Sequence, residues 1–361
     1  MAAHVFRTLT TSGALALFSW TLLSSGAARG VSVTGSTTQQ TNASNQPALP
    51  PRQVRLKSPT VPYVWLRSVT TELGSSVLEI LEAQELCLRG SRGRPGSERD
   101  AFCAEGLFTD EVPKHKVFVS GFFMDRTEVR VRDYQSCVAA QHCRVLRDSE
   151  GAERFFKPDD PVSMVTWFEA QAYCSFQGGR LPTEAEFERA ARGVSRPVEA
   201  DADQTVWRAR LFPWGDLYNS HASNHGSPAL LPPLGVSDEQ ALASDPSDGF
   251  EEKAPVGSFP WGATPEGILD LAGNVAEWVY DLYAPYPKPS ASNVGAAPLI
   301  DPRGPATTES GMRVARGGHY KSTAAWLRGA ARQAFVAETR SPTLGFRCAH
   351  DRAWDPEKRT P

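Results

Sequence analysis

The sequence carries no surplus of positive charge. Across 361 residues, 38 Lys and Arg face 41 Asp and Glu, a formal net charge of -3, and no basic stripe interrupts that balance. A nucleic-acid partner is excluded, because neutralising phosphates takes a basic patch. Long apolar runs are missing beyond residue 30, so nothing downstream supplies the ~20 consecutive apolar residues that span a bilayer. Cys-x-x-Cys pairs are absent as well, which argues against zinc. Heptads and internal repeats are missing too, so a coiled coil or a solenoid does not fit.

What is present is an ordinary globular composition, 40% hydrophobic and 22% charged, with 29 Gly and 28 Pro. Gly and Pro together make up about a sixth of the chain, against roughly 12% in average usage. The expectation is a turn-rich fold of short, irregular elements rather than a helical bundle or a doubly wound sheet. Residues 1–30 read as a secretory signal, with Arg7 in the basic region, an apolar stretch from Ala14 to Leu23 and small residues Ser25 to Gly30 for cleavage. Residues 31–60, rich in Ser, Thr, Gln, Asn and Pro, read as a flexible linker. Length alone fits either two domains or one large loop-rich domain with processed or unstructured ends; the globular part begins at Val61, with an insertion at 75–113 and a tail at 352–361. The mature protein is expected to be exported, to the periplasm or the extracellular space, with no transmembrane segment once the signal is cleaved.

All six cysteines lie beyond residue 80. An even count in an exported chain favours three disulfides, although six cysteines can pair in some ~15 ways. Local spacing suggests Cys87–Cys103 and Cys137–Cys143. That choice leaves Cys174 and Cys348, whose bridge would close the longest loop.

Several local signals place elements. Strand-like residues open the domain from Val61, and the alternating stretch from His115 turns at Gly121 and leads to a helix near Arg130 or Val131. Trp167 to Gly178 has helical apolar spacing. Thr183 followed by Glu186 is a capping box that opens a helix ended by Gly193. Residues 195–265 read mostly as loop, and RVARGGHY and LGFRCAH read as closing strands. Trp167, Trp214, Trp261 and Trp278 are expected mostly in the core, with Trp326 partly exposed.

EVPKHKVFVSGFFMDRTEV, PVSMVTWFEAQAYC, GGRLPTEAEFERAARG, FPWGD, GNVAEWVYDLY, RVARGGHY and LGFRCAHD occur in this order. In that set the chain resembles the formylglycine-generating enzyme family, the sulfatase-modifying factors, over roughly residues 61–351. The resemblance implies a single irregular, loop-rich α+β domain related to C-type lectins, and it implies that Cys174 pairs with Cys348. Active members hold one copper ion on two cysteines just after the double-glycine strand and use oxygen to convert a sulfatase cysteine to formylglycine. The matching stretch here, Gly317 to Arg332, holds no cysteine. Ser322 stands where the first thiolate would be, and a hard, protonated hydroxyl does not replace a soft thiolate for copper(I). Copper is therefore not expected, and no catalytic residue is assigned.

The calcium positions implied by the family are present. Asp270 and Glu277 would give side-chain oxygens and Gly273 and Val275 carbonyls. A second set would use Asn224, Asp248 and the carbonyls of His225 and Phe250. Calcium takes six to eight hard oxygen ligands, which such loops supply, and its role here would be structural. The competing reading is that Asp270 and Glu277 cap turns and Glu277 pairs with an arginine.

Other constellations are weaker. His221 and His225 share a loop rather than a helix face, and Ser322 with His319 lacks the G-x-S-x-G elbow of a hydrolase. Arg313, Arg316, Arg328, Arg332, Arg340 and Arg347 are dense near the C-terminus and read either as salt bridges to acidic loops or as an anion site. His319, Tyr320, Ser322, Trp326 and Arg332 are the candidate cleft residues. The reading is a non-catalytic, calcium-stabilised module with a peptide or protein ligand as candidate partner. The alternative is a family oxidoreductase that uses a non-standard metal site.

Overall fold

The computed structural model describes residues 63–90, 103, 106–146, 153–200, 204–226, 248–287 and 297–351. The expected signal, linker and tail lie outside these residues. Two strands open the fold, β1 (Tyr63–Leu66) and β2 (Val69–Leu73), followed by helix α1 (Val77–Gly90). Strands β3 (His115–Val119) and β4 (Phe122–Asp125) precede α2 (Val131–Ala139), α3 (Trp167–Phe176) and α4 (Glu184–Arg192). A hairpin, β5 (Arg196–Ala200) and β6 (Gln204–Arg208), comes next. The chain closes through β7 (Ala276–Leu282), β8 (Leu299–Ile300), β9 (Arg313–Arg316), β10 (Arg332–Phe335), β11 (Leu344–Gly345) and β12 (Ala349–His350).

Among the described residues the strands form three small sheets, ordered β1-β4-β12, β10-β9-β7-β11 and β2-β3-β8, besides the hairpin. Gly121 makes its turn as expected but does not close a hairpin: β3 and β4 leave it for different sheets. A Cβ at Gly121 would lie 2.6 Å from the Trp65 ring, so the chain can change sheets there only without a side chain. The hairpin β5–β6 corrects the loop reading of 195–265. Its short strands carry charged and polar residues among the apolar ones, and backbone pairing such as Val198↔Val206 supplies what the pattern did not signal.

Helix starts follow the local signals. Thr183 Oγ1 accepts the Glu186 amide at 3.2 Å while Glu186 Oε2 accepts the Thr183 amide at 2.8 Å, and Gly193, at φ 71°, ends α4. The same reciprocal pair, Thr166 with Glu169, opens α3. All nine residues of α4 are buried, its charged ones included, which a helix outside the core would not show. Around it and β7 lies the core, where Trp278 is fully buried and donates from Nε1 to the Val165 carbonyl.

Three disulfides pair Cys87 with Cys103, Cys137 with Cys143 and Cys174 with Cys348, the last across 174 residues. They consume all six cysteines of the chain. One tryptophan departs from expectation: Trp261 is 41% exposed. It sits on a short 3-10 turn, Pro260–Gly262, where Gly262 takes the inward place, since a Cβ there would lie 2.0 Å from the Ala222 carbonyl oxygen. Its neighbour is thereby turned out to solvent. None of the described helices is long and apolar enough to cross a membrane.

Candidate functional site

Two loops meet beside the start of β7. Asp270, at φ 56°, accepts the Gly257 amide on Oδ2 at 2.6 Å. Glu277, at the second position of β7, receives Arg347 Nε and Nη2 on its two oxygens, both at 2.7 Å. Arg347 also donates to the carbonyls of Leu269 and Asp270 at 3.0 Å. Turn capping and an arginine partner are thus both present, as the competing reading expects. A third carboxylate that the sequence reading did not single out changes the balance. Glu128, between β4 and α2, is buried against Asp270 and Glu277.

Three buried carboxylates share one guanidinium, so these four groups are not neutral when all three ionise. Burial, then Asp270 and Glu277, push the Glu128 carboxyl well above its ordinary value, and burial raises Asp270 and Glu277 as well. Glu128 Oε1 accepts from Asn274 Nδ2 at 3.1 Å, whereas no donor reaches Oε2; the carboxyl hydrogen-bonds Asp270 when it keeps its proton. A buried carboxylate oxygen with no donor is costly; a proton shared with Asp270 relieves it, and a hard divalent cation would do so for the ionised form. The signal that could have found Glu128 is its place in DRTEV, inside a quoted motif, but spacing alone does not tell that β4 ends beside residue 270.

The second set is similar in kind. Asn224 donates from Nδ2 to the Glu252 carbonyl and to Asn274 Oδ1, and its own Oδ1 is buried without a partner. Asp248 lies next to it, accepting the His225 amide on Oδ2 and the Phe250 amide on Oδ1. Both sets offer hard carboxylate and amide oxygens with an acceptor that no donor reaches, while among the described residues no three His, Cys, Asp or Glu side chains are grouped as a metal site.

The segment 317–332 connects β9 to β10. Gly317 and Gly318 both hold positive φ, 92° and 67°, and a Cβ at Gly318 would lie 2.9 Å from the Trp326 carbonyl oxygen. Ser322 Oγ accepts the His319 amide at 3.0 Å, and the Ser322 amide returns to the His319 carbonyl at 2.7 Å. His319 Nδ1 accepts the Lys321 amide, which leaves the ring proton on Nε2 in the neutral form. Burial, then Lys321, lower its pKa to about 3.

Residues 88–352 match the model of the sulfatase-modifying factor enzyme 1-like domain. The chain belongs to the sulfatase-modifying factor family. It is 33% identical over 198 residues to the formylglycine-generating enzyme of Bos taurus, 54% of this chain and 45% of that protein. It is 32% identical over 198 residues to the inactive Cα-formylglycine-generating enzyme 2 of Bos taurus, 54% of this chain and 51% of that protein. The chain thus spans about half the length of these two relatives. Overall identity does not separate an active from an inactive relative. Among solved structures, PvdO from Pseudomonas aeruginosa superposes with a TM-score of 0.52 at 19% identity, covering 80% of this chain and 94% of that one. That likeness concerns the fold.

In this sulfatase-modifying factor domain the residues expected to line a cleft are largely packed. His319, Tyr320, Ser322 and Arg332 are all buried. Trp326 is half-buried, as expected, but its ring stacks edge-on against Phe108 at 4.8 Å, beside the Cys87–Cys103 bridge. Arg332 is a correction: it chelates Glu184 with Nε and Nη2 at 2.6 and 3.0 Å and donates to the Asp110 carbonyl. Its fork matches a carboxylate of α4, and with the Ala284 carbonyl four of its five N–H donors are engaged within the protein.

The other arginines resolve the same way. Arg316 reaches Glu188 and also holds the carbonyls of Gly329 and Ala330, each at 2.9 Å, so it closes the base of the segment. Arg328 chelates Glu111, both of them fully buried. Arg340 pairs with Glu169, and Arg313 lies over the Trp167 ring. The carboxylates they meet stand mostly on helices rather than in acidic loops. His221 is exposed while the His225 ring is buried among carbonyls and Tyr218.

Proposed function

We propose that this sulfatase-modifying factor domain is exported and acts by binding, held in shape by calcium, without making formylglycine by the copper route. The observation that carries this reading is the state of sulfur and Ser322. All six cysteines stand in disulfides. Ser322 is 1% exposed and its Oγ is engaged by the His319 amide. Copper(I) chemistry needs soft thiolates, and a neutral hydroxyl tied to its own turn does not replace them.

Calcium would be held by Glu128, Asp270 and Glu277 with the carbonyls of Gly273 and Val275. A second ion would be held by Asn224 and Asp248 with the carbonyls of His225 and Phe250. The unmet acceptors on Glu128 and Asn224 support both assignments. The ion would supply charge neutralisation and loop order rather than chemistry. Three disulfides agree with an oxidising compartment, which supports export. A peptide or protein is the proposed partner, by analogy with the substrates of this family.

Metal analysis of the purified mature protein, combined with oxygen uptake in the presence of a cysteine peptide, tests the reading. Bound calcium without copper or iron, and no oxygen uptake, is the expected result. Stoichiometric copper or iron with oxygen uptake would overturn it in favour of an oxidoreductase.

A further inference from the structure

Asn274 stands between the two proposed calcium sites. It is buried, 2% exposed, and its backbone is left-handed at φ 59°, a conformation asparagine tolerates better than most residues. Its amide makes the full set of bonds available to it. Nδ2 donates to Glu128 Oε1 at 3.1 Å and to the Ala254 carbonyl at 3.2 Å. Oδ1 accepts the Ala254 amide at 2.9 Å and Asn224 Nδ2 at 3.2 Å. Two donors and two lone pairs are thus all used, so the amide cannot turn over without breaking four bonds.

The consequence falls on the neighbours. On one side Asn274 occupies Oε1 of Glu128, whose Oε2 no donor reaches; on the other it occupies Nδ2 of Asn224, whose Oδ1 has no partner. A single amide therefore touches one side chain of each donor set. The backbone adds to the link, since Asn274 donates its amide to the Asn224 carbonyl at 2.8 Å.

We propose that Asn274 is a positioning residue that couples the two calcium sites, so that an ion at one raises affinity at the other. This rests on the calcium reading above. An ion at Glu128 stiffens the carboxylate that anchors the already saturated Asn274 amide, and the stiffer amide holds the Asn224 side chain in place for the second ion. By linkage the effect runs equally in reverse.

The test is calorimetric titration of the chelator-stripped, disulfide-intact protein with Ca2+ alone, folding being followed by circular dichroism. Glu128→Gln is made to disable the first site. It is expected to weaken calcium at the second site at least ~5-fold, the lower end of ordinary coupling between sites. Asn274→Gly keeps the left-handed backbone without strain and removes the amide. In that background Glu128→Gln is expected to leave second-site affinity unchanged, which a merely structural role for Asn274 would not produce.

Should Asn274→Gly fail to fold, Asn274→Asp keeps the acceptor toward Asn224 and removes the donor toward Glu128, and it too is expected to abolish the coupling. Two ions bound with independent affinities in the parent protein would overturn the inference and leave the calcium reading standing. Coupling that persists in both Asn274 variants would overturn it as well. An absence of calcium binding in the parent protein would overturn the calcium reading, and the coupling with it.

Discussion

Arg347 holds both carboxylate oxygens of Glu277 at 2.7 Å in a place where neither side chain is more than 1% exposed. The pair joins β7 to the connection between β11 and β12, and it sits beside two further carboxylates. Arg347 is then the single guanidinium in a group of otherwise acidic side chains, and its removal has a definite consequence.

Arg347→Met is expected to destabilise the fold by about 3–5 kcal/mol, because a buried carboxylate loses its partner. Excess Ca2+ should recover part of that loss, since the remaining charge is matched by a divalent cation. Thermal unfolding with Ca2+ and with chelator measures both. A variant whose loss is the same in the two conditions would speak against an ion at Glu128, Asp270 and Glu277.

The Glu111–Arg328 pair anchors the segment where the family places its copper. Arg328 is bound through Nη1 and Nη2, and its guanidinium also lies 4.6 Å from the Phe108 ring centre. Glu111→Gln alone is expected to cost about 3–5 kcal/mol. The double variant Glu111→Leu, Arg328→Met should cost much less, because no charge is left stranded. Chemical denaturation of the two singles and the double reads this as a coupling energy; additive losses would mean that the pair does not act as a unit.

Asp281 sets a pH dependence of its own. Burial, then the nearby Glu184, raise its carboxyl to about 8 from an ordinary 3.8, while Oδ2 accepts the Glu184 amide at the start of α4. The folded protein keeps this proton while the unfolded chain has lost it, so between about pH 4 and pH 8 the group withdraws stability as pH rises. Asp281→Asn keeps an acceptor and carries no charge. Its stability relative to the parent is expected to climb across that window and level off above pH 8, as followed by urea unfolding at several pH values. A constant difference from pH 4 to pH 8 would show that Asp281 ionises normally.

Cys174–Cys348 closes a loop of 174 residues in sequence. Constraint of the unfolded chain over such a loop stabilises by about 5 kcal/mol in the chain-entropy model. Replacing both cysteines by Ala should lower stability by up to that amount, whereas the same change at Cys137 and Cys143, six residues apart, should cost clearly less. Denaturation midpoints of the two variants decide between loop length and local packing as the source.

Several features follow from the chain before it folds. Thr183 and Glu186 form their capping box because the contact is three residues long and needs nothing distant. Cys87–Cys103 and Cys137–Cys143 are near in sequence, so spacing alone suggests them. Ser322 in place of a thiolate is a matter of residue identity and is complete in the sequence. The motif order carries the family and, with it, the α+β architecture.

Other features wait for the tertiary structure, because they depend on which distant groups share one buried volume. Glu128 faces Asp270 and Glu277 across 142 and more residues of chain, and only their joint burial makes the three carboxyls compete for one guanidinium. Arg332 reads equally well as a cleft residue or a buried partner until α4 places Glu184 beneath it. Asn274 is one polar residue in a turn until folding brings Glu128 and Asn224 to opposite ends of its amide. Local contacts are written in spacing; charge balance and hydrogen-bond saturation are properties of the packed interior.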